Sequence, residues 1–272
     1  MKSLPTFSRL ALTSLALVFL TLSASAAKKP NIVFVFSDDH ATQAVSAYGG
    51  ILKDVAPTPH LDKLADNGML FDRCLVTNSI CGPSRATILT GKYSHLNGFV
   101  VNEGTEFDGT QQTFPKILRG VGYQTAVIGK WHLGSDPTGF DHWEILPGQG
   151  SYYNPDFKTK KGTHHEIGYV SEIITKKAKT WLSEQRDESK PFILMVQHKS
   201  PHRNWAPAPK YVSAFDDVSM PEPDTLFDSY EGRGGAARDQ DMTIEKTMTM
   251  ANDLKVDAMD HTGRFTLQTS YA

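Results

Sequence analysis

Apolar residues in this chain fall either in short continuous runs or at helical spacing. The stretch Asn31 to Phe36 is a run of apolar, β-branched and aromatic side chains. It predicts a buried parallel strand covered on both faces. Thr58-Pro59 followed by Leu61, Leu64 and Ala65 predicts a helix, with Thr58 as cap, Pro59 in the first turn and Gly68 as its stop. Met69 to Val76 predicts a second strand, and Pro83 to Gly91 a helix with a glycine stop. Thr113 to Arg119 predicts another helix, capped by Thr113 and ended by Gly120 or Gly122. Tyr123 to Ile128 predicts a third strand. Tyr169, Val170, Ile173, Ile174, Ala178, Trp181 and Leu182 recur at helical spacing, and Phe192 to Val196 predicts a fourth strand. The stretches 137–162 and 202–241 predict long surface excursions, of the kind that often face substrate. Alternating strands and helices imply an α/β fold with a parallel sheet, right-handed crossovers and helices on both faces. In such sheets the site lies beyond the carboxyl ends of the strands.

Residues 1–26 carry a separate signal. Lys2 and Arg9 precede the apolar run Leu10 to Leu22, and Ala24-Ser25-Ala26 matches the cleavage pattern of a secretory signal peptide. A run of 13 residues is short for a bilayer span, so no stable membrane insertion is expected after cleavage. The chain would be exported, to the periplasm or outside the cell. Of its 272 residues, 39% are hydrophobic and 21% charged, as in an ordinary globular protein. The formal charge of -2 gives no bulk reason to expect nucleic-acid binding. Cys74 and Cys81 are too few for a disulfide framework, though one could pair with the other.

The predicted strand ends carry the candidate chemistry. After the first come Asp38 and Asp39, adjacent carboxylates that suit either a hard cation or a solvated loop, with His40 beside them. After the second comes Cys81-Gly82-Pro83-Ser84-Arg85, at a helix start where backbone N–H groups favour anions. Cys81 could there be a thiol nucleophile, a buried structural cysteine or the precursor of something else. After the third come Lys130 and His132, which share a face in an extended segment. A lysine there can neutralise an anion's oxygen, and a histidine can move a proton. After the fourth comes His198-Lys199-Ser200-Pro201-His202-Arg203. The fold rule brings these four ends together.

With Leu89-Thr90-Gly91, the segment from Cys81 matches the signature C-x-P-S-R-x-x-x-L-T-G at every fixed position. The chain therefore resembles the sulfatase family of the alkaline-phosphatase-like superfamily, over nearly all residues from Pro30 onward. The resemblance implies an α/β/α sandwich with a mostly parallel central sheet, incomplete at the C-terminus, over residues 27–272. It implies that Cys81 is oxidised to formylglycine by a sulfatase-maturating enzyme. It also implies that Asp38, Asp39 and residue 81 hold Ca²⁺. Arg85 would stabilise the diol, Lys130 would contact the sulfate, His132 the second diol hydroxyl, and His202 the sulfate or the leaving oxygen. The segments 37–41, 148–155 and 198–203 look most like glycan-directed N-acetylglucosamine-6-sulfatases. Tyr152, Tyr153, Arg203 and Trp205 could then stack on sugars or bind their anionic groups.

The chain departs from the family pattern after its midpoint. No second calcium-binding pair and no later sulfate-binding lysine follow, and Asn252-Asp253 sits in a polar stretch that is not assigned to metal. A truncated sulfatase of low activity, with an exposed sheet edge, is expected. The alternatives are a phosphatase or phosphodiesterase of the same superfamily and a non-catalytic carbohydrate-binding fragment.

Overall fold

The computed structural model describes residues 29–249 and Asp253. The signal-peptide expectation, and all but Asp253 of the expected polar stretch from position 250 onward, lie outside the described residues. The described residues from Ile32 onward belong to one compact unit. Its centre is a six-stranded sheet of β1 (Ile32–Phe36), β2 (Gln124–Lys130), β3 (His142–Leu146), β4 (Asp156–Thr159), β5 (Gly162–His165) and β6 (Phe192–Gln197). The strand order is β1-β6-β2-β3-β4-β5. β1, β6, β2 and β3 pair in parallel, and β4 and β5 add an antiparallel hairpin at the far edge.

Alternation along β2 and β6 divides the core in two. Ala126, Ile128, Leu194 and Val196 face one side, where helix α4 (Val170–Thr180) supplies Val170, Ile174 and Ala178. Val127, Ile193 and Met195 face the other. There they meet Ala86 and Leu89 of helix α2 (Cys81–Thr90) and Leu118 of helix α3 (Phe114–Gly120). Helix α1 (Pro59–Asn67) lies outside both clusters. The expected sandwich with helices on both faces is present.

Several elements differ from expectation. Met69–Val76 forms no strand, and Met69, Phe71, Leu75 and Val76 are exposed. Asp72 and Arg73 interrupt the apolar run, and among the described residues β1 pairs only with β6. The excursion 137–162 contains two strands. His142–Leu146 pairs in register with Ala126–Lys130 because its Trp143 and Ile145 pack into the α2 side of the core. β1 is not covered on both faces. Its register sets Val33 and Val35 beside Leu194 and Val196, on the side that α4 covers over β2 and β6, yet both valines are more than half exposed. Among the described residues β1 is therefore an edge strand. Helix α2 begins at Cys81, two residues earlier than its apolar pattern suggested. Neither Thr58 nor Thr113 makes a side-chain cap bond; the Thr58 hydroxyl bonds Ser46 and Asp62 instead.

Gly129 shows why β2 and β6 approach so closely. Its φ is +112°, and a Cβ there would sit 2.0 Å from the Gln197 carbonyl oxygen. Gly129→Ala is expected to cost about 3 kcal/mol or more, from the strained backbone and the clash together. Urea denaturation of both chains measures this.

Glu144 on β3 joins the hairpin to α4. It pairs with His142 at 3.2 Å and Lys177 at 2.7 Å, and Lys177 also holds Glu166 at 2.7 Å. The His142 ring beside it and the Lys177 ammonium lower the Glu144 carboxyl from its ordinary 4.5 to about 2. A carboxylate depressed in this way stabilises the fold fully above its ordinary value and loses that contribution as pH falls toward 2. Glu144→Gln should therefore melt lower than the parent at pH 7, with the gap closing between about pH 4.5 and 2 in a pH series of thermal melts.

Candidate active site

Three parallel strands deliver their carboxyl ends to one place. The His198 N–H donates to the Phe36 carbonyl at 2.8 Å, and the Asp38 N–H donates to the Ser200 carbonyl at 3.3 Å, so the ends of β1 and β6 are tied together. Asp38, two residues past β1, is buried. Arg85, one turn into α2, and Lys130, the last residue of β2, are buried beside it. One Asp38 oxygen accepts from Arg85 Nη2 at 3.2 Å and the other from Lys130 Nζ. Burial by itself would raise the Asp38 carboxyl, but Arg85 and Lys130 outweigh it and hold the group below the usual carboxylate range.

Cys81 is the first residue of α2, and its Sγ lies 3.8 Å from Lys130 Nζ. The Gly82 N–H donates to Asn102 Oδ1 at 2.8 Å. A Cβ on Gly82 would meet the Phe99 ring at 2.5 Å, so only glycine lets the helix start settle here. Asp38, Cys81 and His202 each place one donor atom within 4.8 Å of the other two. His202 Nε2 stands 3.7 Å from Asp39 Oδ2. Asp39 and His132 both hold positive φ, at 61° and 53°, a conformation that costs a non-glycine residue energy and recurs at functional sites. Burial first, then Lys130 and Arg85, push the His132 imidazole down to about 4, so it is neutral at physiological pH. Its Nδ1 has no hydrogen-bond partner among the described residues. Burial and Lys130 also lower His202.

A match to the family model described as Sulfatase runs over residues 30–259. The chain belongs to the sulfatase family. Among the curated relatives, this sulfatase is 56% identical over 233 residues to an N-acetylglucosamine-6-O-sulfatase of Bacteroides thetaiotaomicron, covering 84% of this chain and 41% of that protein. It is 30% identical over 224 residues to the N-acetylglucosamine-6-sulfatase of Homo sapiens, covering 73% and 39%. It superposes with a TM-score of 0.79 and 55% identity on the structure of BT4656 in complex with its substrate D-glucosamine-2-N,6-O-disulfate, covering 84% and 46%. The chain thus spans less than half the length of these relatives.

Every residue singled out for catalysis in the sulfatase sequence (Cys81, Arg85, Lys130, His132 and His202) stands at or beside this cluster. Cys81 arrives on an irregular segment rather than after a second strand. Cys74 and Cys81 are both free. Calcium takes six to eight oxygen ligands. The carboxylates of Asp38 and Asp39 supply part of such a shell, and both Asp38 oxygens are already engaged by cations. The described residues therefore fit calcium only in part.

The tyrosines differ from expectation. Tyr152 and Tyr153 are buried, and their hydroxyls donate to the His202 and Pro207 carbonyls, while Tyr169 donates to Ala206 at 3.0 Å. They pin the loop that carries His202 and offer no open face to a sugar. Arg203 grips Asp253 with two hydrogen bonds, at 2.5 and 2.6 Å, which also gives that aspartate a role other than metal binding. Of the four residues proposed for sugar contact, Trp205 keeps an exposed ring. Two participants were missed. Gln197 Oε1 accepts from Arg85 at 2.8 Å, and Gln149 Oε1 accepts from Lys130. A glutamine closing the otherwise apolar run of β6 was a readable sign of the first.

Arg85→Met leaves Asp38 buried with one cation fewer. Breaking a buried pair from one side typically costs on the order of 3–5 kcal/mol. Chemical denaturation of Arg85→Met beside the double variant Arg85→Met/Asp38→Asn measures this, the double variant recovering part of the loss.

Proposed function

We propose that this chain carries the sulfate-ester hydrolysing centre of a glycan sulfatase that removes a 6-O-sulfate from a glucosamine or N-acetylglucosamine residue. The observation that carries the reading is the complete signature from Cys81 to Gly91, starting a helix whose first side chain faces Lys130, Asp38 and His202. The Bacteroides relative's name and the bound substrate of the superposed structure support the choice of sugar. The apolar leader supports export, and no described helix is long and apolar enough to cross a membrane.

In this reading a maturation enzyme oxidises Cys81 to formylglycine, whose aldehyde hydrates to a geminal diol. Asp38, Asp39 and residue 81 would hold part of a calcium shell, and the ion would supply positive charge against the sulfate. Arg85, Lys130 and the start of α2 supply charge and dipole of the same sign from the chain itself. One diol oxygen attacks sulfur as the S–O bond to the sugar breaks; the proton lost by the attacking hydroxyl passes to the sugar oxygen through His202, which takes it up and gives it on. The second diol hydroxyl then gives its proton to the neutral His132 imidazole. The aldehyde reforms, and sulfate leaves. Cations already set by folding need no reorganisation as charge moves.

Protein from its native host should carry an aldehyde at residue 81 that a hydrazide reagent traps and peptide mass spectrometry locates; a thiol throughout would refute the reading. Cys81→Ser should keep one attacking oxygen and lack the second. It should therefore accumulate a sulfated residue 81, with turnover of glucosamine 6-sulfate reduced by roughly 10³ or more. His132→Ala should slow sulfate release by roughly 10²–10⁴, visible as the same adduct in quenched samples.

A further inference from the structure

Lys199 is a buried cation that the proposed mechanism leaves unused. It lies two residues past β6, where a turn closes through the His202 N–H and the Lys199 carbonyl at 3.1 Å. That turn brings Lys199 and His202 to the site on one short piece of backbone. The residue is only 5% exposed. Its Nζ stands 4.9 Å from the centre of the Tyr152 ring. Among the described residues no carboxylate pairs with it, and no hydrogen bond from its ammonium is formed.

Such a group is costly. A buried ammonium has three donors to satisfy and normally sits against a carboxylate. The other two buried cations of the site are already engaged: Arg85 and Lys130 each take one oxygen of Asp38, and each also donates to a glutamine. Lys199 has only the π face of Tyr152, which offsets part of the desolvation. The charges that act on it are those of the site: burial and Lys130 push it down to about 8, while Asp38, Cys81 and Asp39 oppose that shift. Among the described residues, Lys199 therefore has no anionic partner.

We propose that Lys199 binds an oxygen of the sulfate group at residue 81, the substrate anion completing the ion pair that folding leaves open. This rests on the sulfatase reading of the site and deepens it. Lys199 then joins the substrate-binding set, and its Tyr152 contact holds the ammonium ready when no anion is bound.

The test measures the affinity of the 272-residue chain for inorganic sulfate and for glucosamine 6-sulfate by titration calorimetry at pH 7. Lys199→Gln and Lys199→Arg are compared with the parent. Lys199→Gln should weaken both ligands roughly tenfold or more, and Lys199→Arg should stay within about threefold. In parallel, sulfate should slow acetylation of Lys199 in the parent chain, followed by peptide mass spectrometry, relative to the exposed Lys161. This second measurement stands even where a variant fails to fold. Unchanged affinity in Lys199→Gln, or no protection of Lys199 by sulfate the chain does bind, overturns the inference and leaves the sulfatase reading intact. Loss confined to glucosamine 6-sulfate, with the affinity for inorganic sulfate unchanged, also overturns it. A parent chain that binds neither ligand overturns the sulfatase reading of this chain's site, and the inference with it.

Discussion

The site is organised around one buried carboxylate. Asp38 lies between Arg85 and Lys130, each taking one oxygen, and the three come from three separate parts of the chain. None is stable alone in this place, because desolvating a single charge costs several kcal/mol. Together they tie the end of β1, the first turn of α2 and the end of β2 into one electrostatic unit. Cys81, at the start of α2, is positioned relative to that unit.

Parallel pairing makes the arrangement possible. Strands β1, β6 and β2 run side by side in the same direction, so their carboxyl ends open onto the same rim. The rim is tightened by Gly129, where only a hydrogen in place of a side chain allows the Gln197 carbonyl so near. It is closed on the His202 side by tyrosine hydroxyls that hold carbonyls of an otherwise irregular loop. Loops carry much of this chemistry, and the rigidity they need comes from buried aromatic side chains reaching into them.

The same constraint explains which sequence expectations failed. Met69–Val76 is apolar enough for a strand, but Asp72 and Arg73 interrupt it, and no neighbouring edge pairs with it. His142–Leu146 looked like part of a loop because glycine and proline surround it, yet β2 offered it an edge and the core offered pockets for Trp143 and Ile145. In both places pairing opportunity, which belongs to the whole fold, decided against local composition. Tyr152 and Tyr153 were legible as aromatic residues near a site, and nothing in their spacing told a sugar platform from a buried brace.

What the sequence determined by itself was local and chemical. The run from Ile32 to Phe36, the apolar cores of β2 and β6, the helical spacing through α4 and the signature from Cys81 to Gly91 are each written in contiguous residues. From these follow the fold class and the family, and through the family resemblance the five residues proposed for the reaction. The tertiary structure decided the rest. It set which cations Asp38 satisfies, which glutamines receive their remaining hydrogens, and that Lys199 is left over. The physical reason is that burial and partnership arise between segments far apart in the chain. Whether a lysine is solvated, paired or waiting for an anion depends on what folds around it, and no stretch of neighbouring residues records that.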